Sequence, residues 1–201
     1  MIVIGITGGI GTGKSTATEY LIGQGFVSID ADQIGRELTA DGQPLLEKIS
    51  EQFGCVSSDG TVGNGLVLDR KAMADLVFSD SEVKEQYDQL IHAEIIELID
   101  EKIRELKKTD ARGILLDAPL LFEANINDRC DVVILVTADM DERIDRVSLR
   151  DDADEDEIRD RIDNQMSDEE KAEYSDFVVD NSGEPEDMYR QLDDIIDYLG
   201  V

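Results

Sequence analysis

The segment Ile2-Val3-Ile4-Gly5-Ile6-Thr7-Gly8-Gly9-Ile10-Gly11-Thr12-Gly13-Lys14-Ser15 runs from an apolar, β-branched stretch directly into G-x-x-x-x-G-K-S. The first part reads as a buried strand and Thr16-Ala17-Thr18-Glu19-Tyr20-Leu21 as the opening of a helix, the context in which that pattern forms a phosphate-binding loop. Its glycines permit a tight turn with backbone N–H groups pointing inward. Lys14 then supplies a point charge for the outer phosphates of a nucleotide, and the Ser15 hydroxyl a ligand for the Mg²⁺ that bridges them.

With 201 residues the chain can bury one good core, so a single α/β unit with a helical appendage is expected. No stretch reaches the ~20 apolar residues of a membrane span, and no basic-then-apolar leader is present, which points to a cytoplasmic protein. Cys55 and Cys130 stand far apart and suit neither a disulfide framework nor a C-x-x-C pair. Nineteen basic residues face 48 acidic ones, a net charge of −29. That argues against a nucleic-acid surface and requires that the few Lys and Arg gather where an anionic ligand binds. The remaining acids read as a solvated shell or as adaptation to salt.

Phe26 to Ile29 alternates as a second strand and delivers Asp30-Ala31-Asp32 to its carboxyl end, the edge where open parallel sheets place their sites. Asp32 suits either the cap of a helix from about Gln33 or a catalytic carboxylate. Pro44 to Phe53 reads as a helix stopped by Gly54, and Ser57-Ser58-Asp59-Gly60 as a loop. Asp69 looks like the cap of a helix through Phe78. From Ser81 the apolar positions Val83, Tyr87, Leu90, Ile91, Ile95, Leu98, Ile99, Ile103 and Leu106 predict one long helix. His92 lies beside that stripe, as a packed residue or as part of a site. The strand pattern resumes at Ile114-Leu115-Leu116-Asp117, where a terminal Asp is placed to hold Mg²⁺, and again at Val132–Val136.

Asp139 with Glu142, and Asp154 with Glu157, predict capping boxes for two helices rich in Arg: Arg143, Arg146 and Arg150, then Arg159 and Arg161. Joined by Asp151-Asp152-Ala153-Asp154, they suit a mobile lid over transferring phosphate or an exposed pair laced by ion pairs. Phe177–Asp180 is a last strand, Asn181-Ser182-Gly183 a turn, and Pro185 to about Leu199 a closing amphipathic helix.

From end to end these runs resemble the dephospho-coenzyme A kinase family. I-T-G-G-I-G-T-G-K-S is Ile6–Ser15, I-D-A-D is Ile29–Asp32, D-R is Asp69-Arg70, and D-A-P-L-L-F-E is Asp117–Glu123. R-I-D-N-Q-M is Arg161–Met166, and D-N-S-G is Asp180–Gly183. The resemblance implies an α/β, P-loop kinase-type three-layer fold with a five-stranded parallel sheet. It implies a core of 1–59, 111–137 and 167–201, a helical substrate-binding region at 60–110 and a helical lid at 138–166.

The implied reaction carries the ATP γ-phosphate to the 3′-hydroxyl of dephospho-coenzyme A. Gly11, Thr12, Gly13, Lys14, Ser15, Thr16 and Asn181 would bind nucleotide. Asp32, Lys14, Arg146 and Arg150 would serve catalysis, with Asp32, Arg70 and His92 on the acceptor side and Ser15 and Asp117 at the Mg²⁺. The implied partners are ATP and dephospho-coenzyme A, with no nucleic acid and no membrane, in a monomer or small homo-oligomer. The family usually has His-Pro at His92-Ala93, Gly at Asp152 and Gln at Arg143. The alternatives are another small-molecule or nucleotide kinase of this fold, or a nucleotide switch. A GTPase should carry N-K-x-D, and no Asn here precedes Lys.

Overall fold

A computed structural model describes residues 1–58 and 63–201. Asp59 and Gly60 of the expected Ser57–Gly60 loop, and with them the expected 59/60 boundary, lie outside the described residues. The chain forms two compact units, one of Met1–Asp30 with Lys102–Val201 and one of Ala31–Glu101.

The first unit contains β1 (Val3–Thr7), α1 (Lys14–Gly23) and β2 (Val27–Asp30). The second contains α2 (Ala31–Leu38), α3 (Leu45–Phe53), the two-residue strands β3 (Val56–Ser57) and β4 (Val67–Leu68), α4 (Arg70–Ser79) and most of α5 (Ser81–Leu106). The first resumes with β5 (Ile114–Asp117), β6 (Val132–Thr137), α6 (Met140–Asp151), α7 (Glu155–Asp163), α8 (Asp168–Tyr174), β7 (Phe177–Asp180) and α9 (Pro185–Leu199). Among the described residues no helix is long and apolar enough to cross a membrane.

The five-stranded sheet has the order β2-β5-β1-β6-β7 and every pair is parallel. β1 is buried along its whole length and β5 likewise, as unbroken apolar strands covered on both faces should be. On one face Ile4, Ile6, Leu115, Ile134, Val136 and Val179 meet Leu21 of α1 and Met188, Leu192 and Ile196 of α9. Each such side chain contributes about 1.5–3 kcal/mol by leaving water. Because β1 lies between β5 and β6, its carboxyl end opens where the strand order reverses, at the middle of the sheet edge.

In the second unit Leu45, Leu46, Ile49, Leu68 and Met73 form a separate core. The Asp69 carboxylate caps α4 by accepting from the Ala72 N–H at 2.9 Å, as its sequence position predicts. Three local expectations need correction. α2 starts at Ala31, which puts Asp32 in its first turn rather than at its cap. Asp139 forms no side-chain cap; its own N–H donates to Ser182 Oγ at 2.9 Å, a partner 43 residues away that no local pattern reveals. Asp154 does cap α7, accepting from the Glu157 N–H at 2.9 Å, but the reciprocal box forms on α8, between Ser167 and Glu170, where no helix is expected from the sequence.

Candidate active site

The phosphate loop leaves β1 at Thr7 and enters α1 at Lys14. Gly11 and Gly13 both adopt left-handed backbone conformations, with φ of 80° and 89°. At Gly13 a Cβ would collide with the Asn181 amide, and at Gly11 with the Arg143 backbone oxygen at 2.7 Å. Conformation and close approach therefore require glycine at both positions.

Lys14 forms an ion pair with Asp117 at the end of β5. The other Asp117 carboxylate oxygen accepts from Thr18 Oγ1 at 2.7 Å. The carboxylate expected to lie near a metal thus neutralises the loop lysine, while Ser15 and Thr16 stand exposed at the start of α1. Buried Asn181 donates its amide to the Thr12 carbonyl at 2.8 Å, and its own carbonyl accepts from Arg146 Nη2 at 2.8 Å. Arg146 also pairs with Glu142 at 3.3 Å, and its Nη1 is buried with no hydrogen-bond partner among the described residues. That nitrogen lies 3.8 Å from where a Cβ of Gly13 would stand, so an unsatisfied cationic donor faces the loop.

Ile10 is held at both of its backbone polar groups. Its N–H donates to Gln165 Oε1 at 3.0 Å, and its carbonyl accepts from Arg143 Nε at 2.8 Å. Arg143 is buried and pairs with Asp168 at 3.2 Å. Burial raises the Asp168 carboxyl above its ordinary value, although Arg143 and Lys171 pull it down. Arg150 by contrast is exposed and pairs with Asp151, which also takes Arg161. Cys130 packs behind β1, and burial pushes its thiol up to about 12.

The first unit therefore brings together Gly11–Thr16, Asp117, Asn181 and Arg146. Arg150 lies in the same unit, with its guanidinium turned to Asp151. Asp32, Arg70 and His92 belong to the second unit. There Asp32 is exposed, Arg70 donates to the Thr39 carbonyl at 3.1 Å and His92 is half-buried on α5. Arg70 also lines a cavity of about 230 Å³ with Leu68, Met73, Val77, Phe78 and Tyr87.

Residues 2–187 match the family described as dephospho-CoA kinase. The chain belongs to the dephospho-CoA kinase family. The dephospho-CoA kinase of Corynebacterium glutamicum is 35% identical over 198 residues, 98% of this chain and 96% of that one. That of Aromatoleum aromaticum is 41% identical over 194 residues, 95% and 90% of the two chains. A crystal structure from Thermus thermophilus superposes with a TM-score of 0.77 at 35% identity, covering 98% of this chain and 97% of that one.

Three of the runs quoted above contact the phosphate loop, through Asp117, Gln165 and Asn181. R-I-D-N-Q-M provides the Gln165 that holds Ile10, and D-N-S-G the Asn181 packed on Gly13. Sequence reading gave Gln165 and Thr18 no role. The signal available for Gln165 was its place inside a motif more specific than the loop itself; Thr18, one helical turn past Lys14, carried none.

Proposed function

We propose that this protein transfers the γ-phosphoryl group of ATP to the 3′-hydroxyl of dephospho-coenzyme A, giving coenzyme A and ADP. The observation that carries the reading is the phosphate loop at the centre of the sheet edge, its lysine paired with Asp117, in a member of the dephospho-CoA kinase family. In this reading the N–H groups of Gly11–Thr16 cradle the nucleotide phosphates, with Lys14 as their charge and Asn181 supporting the loop. Arg146 and Arg150 belong to a lid at 138–166, and Arg146 Nη1 is the donor still available to charge developing on the transferred group.

Asp32 orients the acceptor hydroxyl and takes its proton late, and Arg70 and His92 serve the acceptor within the helical region at 60–110. Ser15 and Asp117 provide a hydroxyl and a carboxylate, hard oxygen donors that fit Mg²⁺. The ion, when bound with ATP, offsets charge on the phosphates. A cytoplasmic monomer or small homo-oligomer, acting on small molecules and not on nucleic acid or membrane, completes the reading.

Purified protein with Mg-ATP should convert dephospho-coenzyme A to coenzyme A one-for-one with ADP, with adenosine and AMP much slower and shikimate inert. ADP forming with AMP but not with dephospho-coenzyme A would overturn the acceptor assignment. Asp32→Asn should lower kcat by about 10²-fold with ATP affinity nearly intact. Activity within a few-fold of wild type would remove Asp32 from the mechanism.

A further inference from the structure

Lys171, on α8, has 0% of its surface exposed, in a chain with only 19 basic residues to spend. A buried ammonium is costly unless paired, and a buried pair is itself weak evidence of stabilisation. Its surroundings suggest a different use. Nζ donates to the Pro119 carbonyl at 2.6 Å and pairs with Glu123 Oε1 at 3.2 Å. The same Glu123 oxygen accepts from the Met166 N–H at 3.1 Å. Met166 follows Gln165, whose side chain holds the Ile10 N–H. The Pro119 carbonyl also accepts from Thr7 Oγ1, at 3.3 Å, and lies two residues beyond Asp117. One ammonium thus fixes the segment that carries Asp117 and, through Glu123, the clamp on Ile10. Those segments meet the phosphate loop at two points, Lys14 and Ile10.

We propose that Lys171 and Glu123 are a positioning pair for phosphoryl transfer, setting the phosphate loop through Pro119 on one side and through Met166-Gln165 on the other. They touch no substrate, and the inference rests on the kinase reading above. Loss of the pair should let Gly9–Ile10 drift relative to Asp117 and Lys14, and a loop displaced by about 1 Å holds polyphosphate poorly.

The test uses two variants of the full chain. Lys171→Met combined with Glu123→Gln removes both charges at similar volume, so neither group is left charged and unpaired. Gln165→Leu cuts the last bond of the route and leaves Lys171 untouched. Both should raise KM for ATP about tenfold or more, leave KM for dephospho-coenzyme A within about twofold, and still melt cooperatively. Because they act on one route, combining them should add little further loss. A merely structural role would lower the melting temperature without this split between the two KM values. The proposal is overturned if a folded Gln165→Leu keeps wild-type KM for ATP, or if the losses multiply. Failure of the paired variant to fold while Gln165→Leu is normal would also overturn it. A chain with no kinase activity towards dephospho-coenzyme A but with ADP affinity weakened in both variants would sink the acceptor and spare the positioning pair.

Discussion

At the base of the α6–α7 hairpin Arg143 is buried and Arg146 half-buried, and each donates to a backbone carbonyl, of Ile10 and of Asn181. At its tip Arg150 is exposed and shares the Asp151 carboxylate with half-buried Arg161 of α7. Between them Ile144, Val147, Ile158 and Ile162 form the hairpin's own small core. The same side chain has two fates. In so acidic a protein each of these guanidiniums meets a carboxylate, Asp168 or Glu142 at the base as well as Asp151 further out. What sets the base apart is the added bond to a carbonyl, which aims the guanidinium at the phosphate loop, as the buried Nη1 of Arg146 illustrates.

Arg143→Ala should break the base most severely. It strips Ile10 of a donor and leaves half-buried Asp168 without its guanidinium, a loss of about 3 kcal/mol. Thermal melting should move down by roughly 10 °C, and kcat/KM for ATP should fall about 10²-fold. Arg143→Gln, the family's usual residue, can still donate to Ile10 and should recover most activity but little stability. Equal recovery of both would place the value of Arg143 in its bond to Ile10 alone.

At the tip, Arg150→Ala should lower kcat about tenfold with melting almost unchanged. If the planar fork matters, Arg150→Lys should be nearly as damaging. Full rescue by Lys would reduce Arg150 to a general electrostatic role.

Asp152 ends α6 in the left-handed region, at φ 53°, where the family usually has glycine. Asp152→Gly relieves that conformation but frees the unfolded chain, so a net gain below about 1 kcal/mol, or roughly 1–3 °C, is expected by calorimetry. A fall would mean that the Asp152 side chain contributes in its own right.

The smallest effect concerns the two carboxylates, which should respond to pH with opposite signs. Arg150 first and Arg161 second hold Asp151 well below the ordinary carboxylate range. Its contribution is present above about pH 4 and fades as the solution is acidified, so Asp151→Asn and wild type should converge in melting temperature from about pH 5 downward. Asp168 is raised by burial, so its ionisation opposes folding as pH rises past that ordinary value. Wild type should therefore lose ground to Asp168→Asn as pH rises from about 4 to 6. Parallel trends for both variants would erase the distinction between base and tip.

The sheet was legible because Val3–Thr7, Ile114–Asp117 and Val132–Thr137 are unbroken apolar runs, and the loop because its glycines and Lys14 sit in fixed order. The β3–β4 pair escaped notice because two residues cannot display an alternation. α8 is seven residues long and polar on most sides, which gives periodicity little to register. Lys171 was invisible for a related reason: within a run of charged residues nothing marks the one that folding buries. Asn181 and Arg146 could be named from family motifs, but the contact of each with the phosphate loop crosses more than 130 positions, beyond any local pattern.

Asn181 accepts this position against Gly13 from 168 residues downstream, and its amide closes on Thr12 from 169. Time enters here. A chain emerging from the ribosome presents residues 8–15 long before Asn181, so the loop is made first and braced later. Until residue 181 has been made the glycines have no amide packed against them and Arg146 has no Asn181 carbonyl to meet. The phosphate loop therefore meets its full set of packing partners only once β7 and the residue after it have been made.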